Sequence, residues 1–147
     1  MPCRLLRGRP ARAAAFCFWI LAGFVLPLGA SPSWVGGERL ADVLMYHHLI
    51  DELRFDEAGQ VLDRLLASGR RNPHLRVLEA EYALQMHAHG RAGDWLERAG
   101  RASHAAVASG AAGWRGQMVR SRWNDVSGNT REALLCAKLA LEDEQAP

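Results

Sequence analysis

Six histidines are the residues in this chain most able to do chemistry. His47 and His48 are adjacent, and His87 and His89 stand two apart. Neither spacing stacks two rings on one helical face, which needs i and i+4. His47 and His87 can meet only across neighbouring helices. No cysteine or well-placed carboxylate completes the three or four ligands that a first-row metal requires. The histidines therefore read as surface residues, and no metal site is expected. Ser103 and His104 are also sequence neighbours, so their side chains diverge on a helix. No glycine-flanked serine elbow is present, and no orienting acid can be tied to the pair. The acid pairs Asp51-Glu52 and Asp56-Glu57 fall at helix ends, where dipole and solubility account for them. Gly110 and Gly113 lack the following lysine and hydroxyl residue of a phosphate-cradling loop. No catalytic residue and no cofactor is assigned, and an enzyme is the least supported class of function.

The elements that must position these residues are helical throughout. No stretch sustains a period-two alternation of Val, Ile and Thr. Leu40, Val43, Leu44, Leu49, Ile50 and Leu53 give a broad apolar stripe over residues 38–53. Ala58, Val61, Leu62, Leu65 and Leu66 follow the i, i+3, i+4, i+7, i+8 rule over residues 56–68, with Gly69 placed to end that helix. Asn72-Pro73 reads as an N-cap followed by proline at the first helical position. A third helix then carries Leu75, Leu78, Tyr82 and Met86 as far as Gly90. The fourth, over residues 93–109, uses the small residues Ala99, Ala102 and Ala106 beside Leu96, which predicts close packing. A loose connection at residues 109–113 precedes the fifth helix, whose stripe is Gly116, Val119, Trp123 and Val126. The sixth begins at Asn129, where Glu132 suggests a capping box, and carries Ala133, Leu134, Ala137, Ala140 and Leu141. Trp95, Trp114 and Trp123 read first as fillers of gaps left by alanines, and second as exposed anchors.

The first 30 residues are different material. Arg4, Arg7, Arg9 and Arg12 precede an uncharged run over residues 13–26, followed by Pro27, Gly29 and Ala30. That order predicts a secretory signal peptide over residues 1–30, with an uncleaved membrane anchor as the alternative, since a span needs about 20 apolar residues. Residues 31–37 read as a linker and 38–144 as one domain. All 16 acids follow residue 30, with 14 of the 18 basic residues, so the chain beyond that point carries a net charge of −2. A nucleic-acid role loses its main support, because phosphate binding needs a basic face. The expected location is exported and periplasmic, or inner-membrane anchored through residues 1–30. Cys136 is the one cysteine left beyond that segment and reads as a small core residue.

Phe55-Asp56-Glu57-Ala58 recurs as Thr130-Arg131-Glu132-Ala133, with a weaker copy at Gly90-Arg91-Ala92-Gly93-Asp94-Trp95 between them. The period is 37 and then 38 residues, the range of stacked helical hairpins. Turn positions read Leu53, Gly90 and Gly128, and alanine positions read Ala58, Trp95 and Ala133. Leu62 and Leu65, Ala99 and Ala102, and Ala137 and Ala140 follow along the second helices. Met45 with Leu49 and Tyr82 with Met86 fit the large positions of the first helices. On these residues the chain resembles the tetratricopeptide repeat family over residues 38–143. The resemblance implies an all-α fold: an α-solenoid of about three such hairpins, six helices in all, acting as a scaffold or assembly factor in protein–protein interaction.

It also implies a concave groove lined by the first helix of each pair. The matching positions are Val43, His47 and Ile50; Val77, Ala80, Leu84 and His87; and Arg115, Met118 and Arg122. That set predicts a groove apolar at one end and basic at the other, suited to a protein or peptide segment with an apolar body and an acidic end. Leu134, Leu135, Leu139 and Leu141 cover more than one face of the last helix. They point either to a second copy covering it, a homo-oligomer through the last helix, or to another protein doing so.

Overall fold

The computed structural model describes residues 37–69, 71–108, 110–143 and 146. The predicted signal segment and nearly all of the linker lie outside the described residues. Among those residues the fold is all-helical, with six helices and no strand. They are α1 (Gly37–Asp51), α2 (Phe55–Gly69), α3 (Pro73–Ala88), α4 (Trp95–Ala108), α5 (Gly113–Val126) and α6 (Thr130–Leu141). Each predicted helix is present within about three residues of its expected ends. Local chemistry accounts for several of those ends. The Asn72 side chain accepts a hydrogen bond from the His74 N–H at 3.0 Å, and Pro73 supplies the preset φ of a first helical residue. Asp56 and Glu57 lie in the first turn of α2, where the dipole favours them. The capping box expected at Asn129 does not form: Asn129 is the N-cap of α6, but its side chain makes no capping bond.

The three odd-numbered helices end in the same way. At the end of α1, the Leu53 N–H donates to the Ile50 carbonyl (3.0 Å) and the Arg54 N–H to the Leu49 carbonyl (2.8 Å). At the end of α3, Gly90 donates to His87 and Arg91 to Met86, both at 3.0 Å. At the end of α5, Gly128 donates to Asp125 (3.0 Å) and Asn129 to Asn124 (2.8 Å). This is the Schellman pattern, and its pivot residue must adopt the left-handed backbone. The pivots Leu53, Gly90 and Gly128 have φ of 59°, 64° and 83°. Leu53 is the sole non-glycine with positive φ among the described residues. The position that reads as a turn in the sequence is thus the same backbone device three times.

The even-numbered helices repeat with a different phase. Ala58, Ala99 and Ala133 are the first buried alanines of α2, α4 and α6. Val61, Ala102 and Cys136 follow three residues later and Leu65, Ala106 and Ala140 seven later, all buried. Ala58 and Ala133 each stand five residues beyond their pivots, whereas Ala99 stands nine beyond Gly90. Trp95 therefore does not take the alanine position expected for it; Ala99 does. The longer turn after Gly90, which includes Gly93 at φ 131°, leaves Trp95 on the first turn of α4. There it packs against both cores, and its indole N–H donates to the Ala92 carbonyl at 2.9 Å.

Each helix packs on the next in the chain, and α3 also packs on α5. The α3–α4 pair shares the most extensive interface, as its small residues predict. Two apolar cores result. The first joins α1, α2 and α3 through Val43, Tyr46, Leu49, Leu62, Leu65, Leu75 and Leu78, among others. The second joins α3, α4 and α5 through Val77, Ala80, Leu84, Ala99, Ala102 and Val119, with Trp123 against it. Burying each large aliphatic side chain contributes about 1.5–3 kcal/mol. Both buried phenols are hydrogen-bonded: the Tyr46 hydroxyl donates to the Leu78 carbonyl at 3.2 Å and the Tyr82 hydroxyl to the Phe55 carbonyl at 3.1 Å. Cys136 is buried as expected, with the Asn124 amide 3.9 Å from its sulfur. Met45, aligned with Tyr82 by the repeat, is instead exposed, because Tyr46 takes the core position of α1. On α6, Leu134 and Leu141 are 68% and 80% exposed, and Leu135 and Leu139 are also exposed.

Candidate functional site on the face of α1, α3 and α5

Spacing along each odd-numbered helix sets which side chains share a face. On α5, Arg115, Met118 and Arg122 recur at i, i+3 and i+7; on α3, His74 and Glu81 stand seven apart. His47 lies on α1. All six are half-buried. Their electrostatics bring three helices together. Burial lowers the proton affinity of His47, and the positive charge of Arg115 lowers it further, while Asp51 acts in the opposite sense. His74 is lowered by burial and by the same guanidinium. The Glu81 carboxyl is pushed up by burial, against the pull of Arg115 and Arg122. One arginine of α5 thus acts on a histidine of α1 and on two residues of α3. The Nδ1 atoms of both imidazoles are shielded from solvent. Glu81 also raises the proton affinity of the Tyr46 phenol, after burial itself.

Of the ten residues expected to line the groove, the structure brings His47, Arg115, Met118 and Arg122 onto this half-buried face. Val43, Ile50, Val77, Ala80 and Leu84 are between 0 and 6% exposed and belong to the two cores. Their periodicity marks an inner stripe, and the protein's own packing occupies that stripe. His87 is exposed on the last turn of α3. The face is accordingly polar along its length rather than apolar at one end. Sequence reasoning missed His74 and Glu81. Their signal was available, since residues 74, 77, 81 and 84 keep one helical phase and two of those four were selected.

A second charged group lies elsewhere. Glu79 is only 8% exposed. Its carboxylate accepts from Arg76 Nη1 at 2.6 Å and from Arg98 Nε at 3.1 Å, and Arg98 Nη2 lies 3.8 Å from Asp63. These residues, with Leu66 and Ala67, line an open cleft of about 420 Å³ where α2, α3 and α4 meet. Two arginines face two acids there, so the group is internally balanced and ties three helices together.

The remaining chemical candidates are held apart. Ser103 is fully buried and its hydroxyl donates to the Gly100 carbonyl at 2.9 Å, while the exposed His104 lies edge-on to the Trp123 ring. His48 contacts Glu52 at 3.3 Å and the His89 ring lies tilted against Phe55, with centroids 4.7 Å apart. Among the described residues no three of His, Cys, Asp and Glu converge as metal ligands, and no helix is long and apolar enough to cross a membrane. Trp95 and Trp123 act in packing: the Trp123 indole N–H donates to the Leu96 carbonyl at 3.0 Å. Compared with known proteins, the chain matches no family model, no curated protein and no solved structure.

Proposed function

We propose that this chain is a protein-interaction scaffold: three tetratricopeptide-like hairpins stacked as an α-solenoid, binding a partner segment across the odd-numbered helices. The recurrence of one turn at Leu53, Gly90 and Gly128 supports the repeat. So does the common phase of Ala58, Ala99 and Ala133, with 34 residues between the last two, the period of that family. A single observation carries the binding role: three helices from three hairpins contribute His47, His74, Glu81, Arg115 and Arg122 to one half-buried face. The other residues with chemical potential among those described are dispersed or paired, and the reading offered is one of binding. The basic start and the short apolar run of residues 1–30 support export, with the scaffold acting in the cell envelope.

The test is affinity capture from the native envelope with the wild-type chain and with Arg115→Glu/Arg122→Glu. A partner retained by the first and lost by the second is expected; equal capture contradicts the reading. Mass spectrometry of the N-terminus distinguishes a processed periplasmic form from one anchored by residues 1–30.

A further inference from the structure

Exposed apolar side chains are unevenly spread over this chain. Among the described residues eight large hydrophobic side chains are exposed, and four of them, Leu134, Leu135, Leu139 and Leu141, fall on the 12 residues of α6. Among the described helices α6 packs on α5 alone, with Ala133, Cys136 and Ala140 buried. No described helix covers its opposite face. The terminal helix of a stacked array ordinarily turns a polar face outward, and this one turns out leucines.

The order of residues along that face is close to symmetric about Ala137. Leu135 and Leu139 stand two residues to either side of it, Leu134 and Leu141 three before and four after, and Arg131 and Glu142 six before and five after. Leu134 and Leu141, seven apart, share one flank of the helix, and Leu135 and Leu139, four apart, share the other. The exposed charges at the two ends are opposite, Arg131 at the start and Glu142 at the finish. A helix with this pattern complements an inverted copy of itself. From this self-complementarity we infer that α6 is a homodimer interface, in which two copies pack their last helices antiparallel about a twofold axis near Ala137. The inference rests on α6 and stands apart from the odd-helix face.

A twofold axis across an antiparallel pair keeps each flank on its own side and exchanges the ends. Leu134 then meets Leu141 of the second copy, and Leu135 meets its Leu139. Arg131 faces Glu142 of the second copy at both ends of the interface. A parallel pair would instead set Arg131, Lys138 and Glu142 each against its own equivalent, and like charges repel. Lys138 lies near the axis with its amine 3.7 Å from Glu142 of its own chain, which leaves its alkyl stem to cover Leu135 of the second copy. An open groove of about 260 Å³, lined by Val107, Gly113, Gln117 and Leu139 among others, flanks the same leucines and gives Leu135 of the second copy a recess to enter. An apolar segment of another protein would cover the leucines and leave the opposite charges at the two ends without a role. The helix is about 18 Å long at 1.5 Å per residue. An interface of that length falls short of the roughly 800 Å² per partner of a standard complex, so the dimer is expected to form at micromolar concentration.

The protein, in the N-terminal form that the cell produces, would be studied by sedimentation equilibrium from about 1 to 100 μM. A monomer that gives way to a dimer as concentration rises is expected. Leu134→Gln/Leu141→Gln is expected to weaken the dimer about a hundredfold, and Leu135→Gln takes its place if circular dichroism shows that the double variant loses helix. Arg131→Glu and Glu142→Arg each bring like charges together at both ends, and each is expected to weaken the dimer about tenfold. The exchange Arg131→Glu/Glu142→Arg restores opposite pairs and is expected to return association to the wild-type level. In a parallel pair the single charge changes would leave association as it was. A monomer at every concentration, whatever else covers the leucines, would overturn the inference. So would growth beyond a dimer, a dimer indifferent to the leucine substitutions, or one indifferent to the single charge changes.

Discussion

Gly100 and Trp123 offer a quantitative handle on how α4 packs against α5. A Cβ added at Gly100 would stand 2.8 Å from Trp123 Cε2 and 2.9 Å from both Cζ2 and Nε1. Helix propensity alone favours alanine over glycine by about 1 kcal/mol. The clash acts in the other direction. Overpacking of this kind costs about 1–3 kcal/mol. Moving the indole also breaks its hydrogen bond to the Leu96 carbonyl, a loss of about 1 kcal/mol. Gly100→Ala is therefore expected to destabilise the protein by about 1–3 kcal/mol and to lower the melting temperature by about 5 °C or more. In a Trp123→Leu background the ring is gone and propensity alone remains. There the same substitution is expected to stabilise by about 1 kcal/mol. Urea denaturation of the four proteins closes the cycle, with a coupling of about 2–4 kcal/mol and a change of sign between backgrounds. If Gly100→Ala stabilised the wild-type chain, the close approach of α4 to the Trp123 ring would be refuted.

Three further outcomes follow from other features. Gly90→Ala and Gly128→Ala are each expected to cost about 1 kcal/mol in thermal unfolding. The added Cβ meets nothing within 4 Å at either position, so the whole effect comes from the left-handed backbone. His47 and His74 hold a proton less tightly in the folded protein than their ordinary value near 6.5. Unfolding then takes up protons below that pH, so their contribution to stability is present above it and lost as pH falls through the folded value. The midpoint of urea unfolding should decline over that interval, and His47→Gln/His74→Gln should flatten the decline. Leu134→Gln/Leu141→Gln on α6 is expected to change the stability of the isolated chain by less than about 0.5 kcal/mol, because both leucines are largely exposed, and to reduce binding of a hydrophobe-sensing dye.

Helix number and type were legible because the 3.6-residue stripes are long and Gly69, Asn72-Pro73, Gly90 and Gly128 punctuate them. The equivalence of Leu53 with two glycines could be read from spacing, yet its left-handed φ could not, since leucine seldom adopts it. The phase of α4 was misread because an aromatic at a repeat position looks like a substitution. Only burial shows that a longer turn moved Ala99 into the place of Ala58. The candidate site was half legible. Its basic residues on α5 follow from helical spacing. Val43, Ile50, Val77, Ala80 and Leu84 share that spacing with the core, and periodicity alone does not say whether a stripe faces a ligand or another helix. Glu79, gripped by Arg76 and by Arg98 nineteen residues further on, is a tertiary arrangement that no local pattern encodes.

The claim that the odd-numbered helices form the binding face is tested most directly by nuclear magnetic resonance. Isotope-labelled protein would be titrated with the partner recovered by affinity capture, following backbone amides and the imidazole and guanidinium side chains. The account predicts that shifts concentrate at His47, His74, Glu81, Arg115 and Arg122 and that α2, α4 and α6 stay largely silent. Shifts centred on the Arg76–Glu79–Arg98 cleft or on the leucines of α6, with the odd-helix face unchanged, would contradict it.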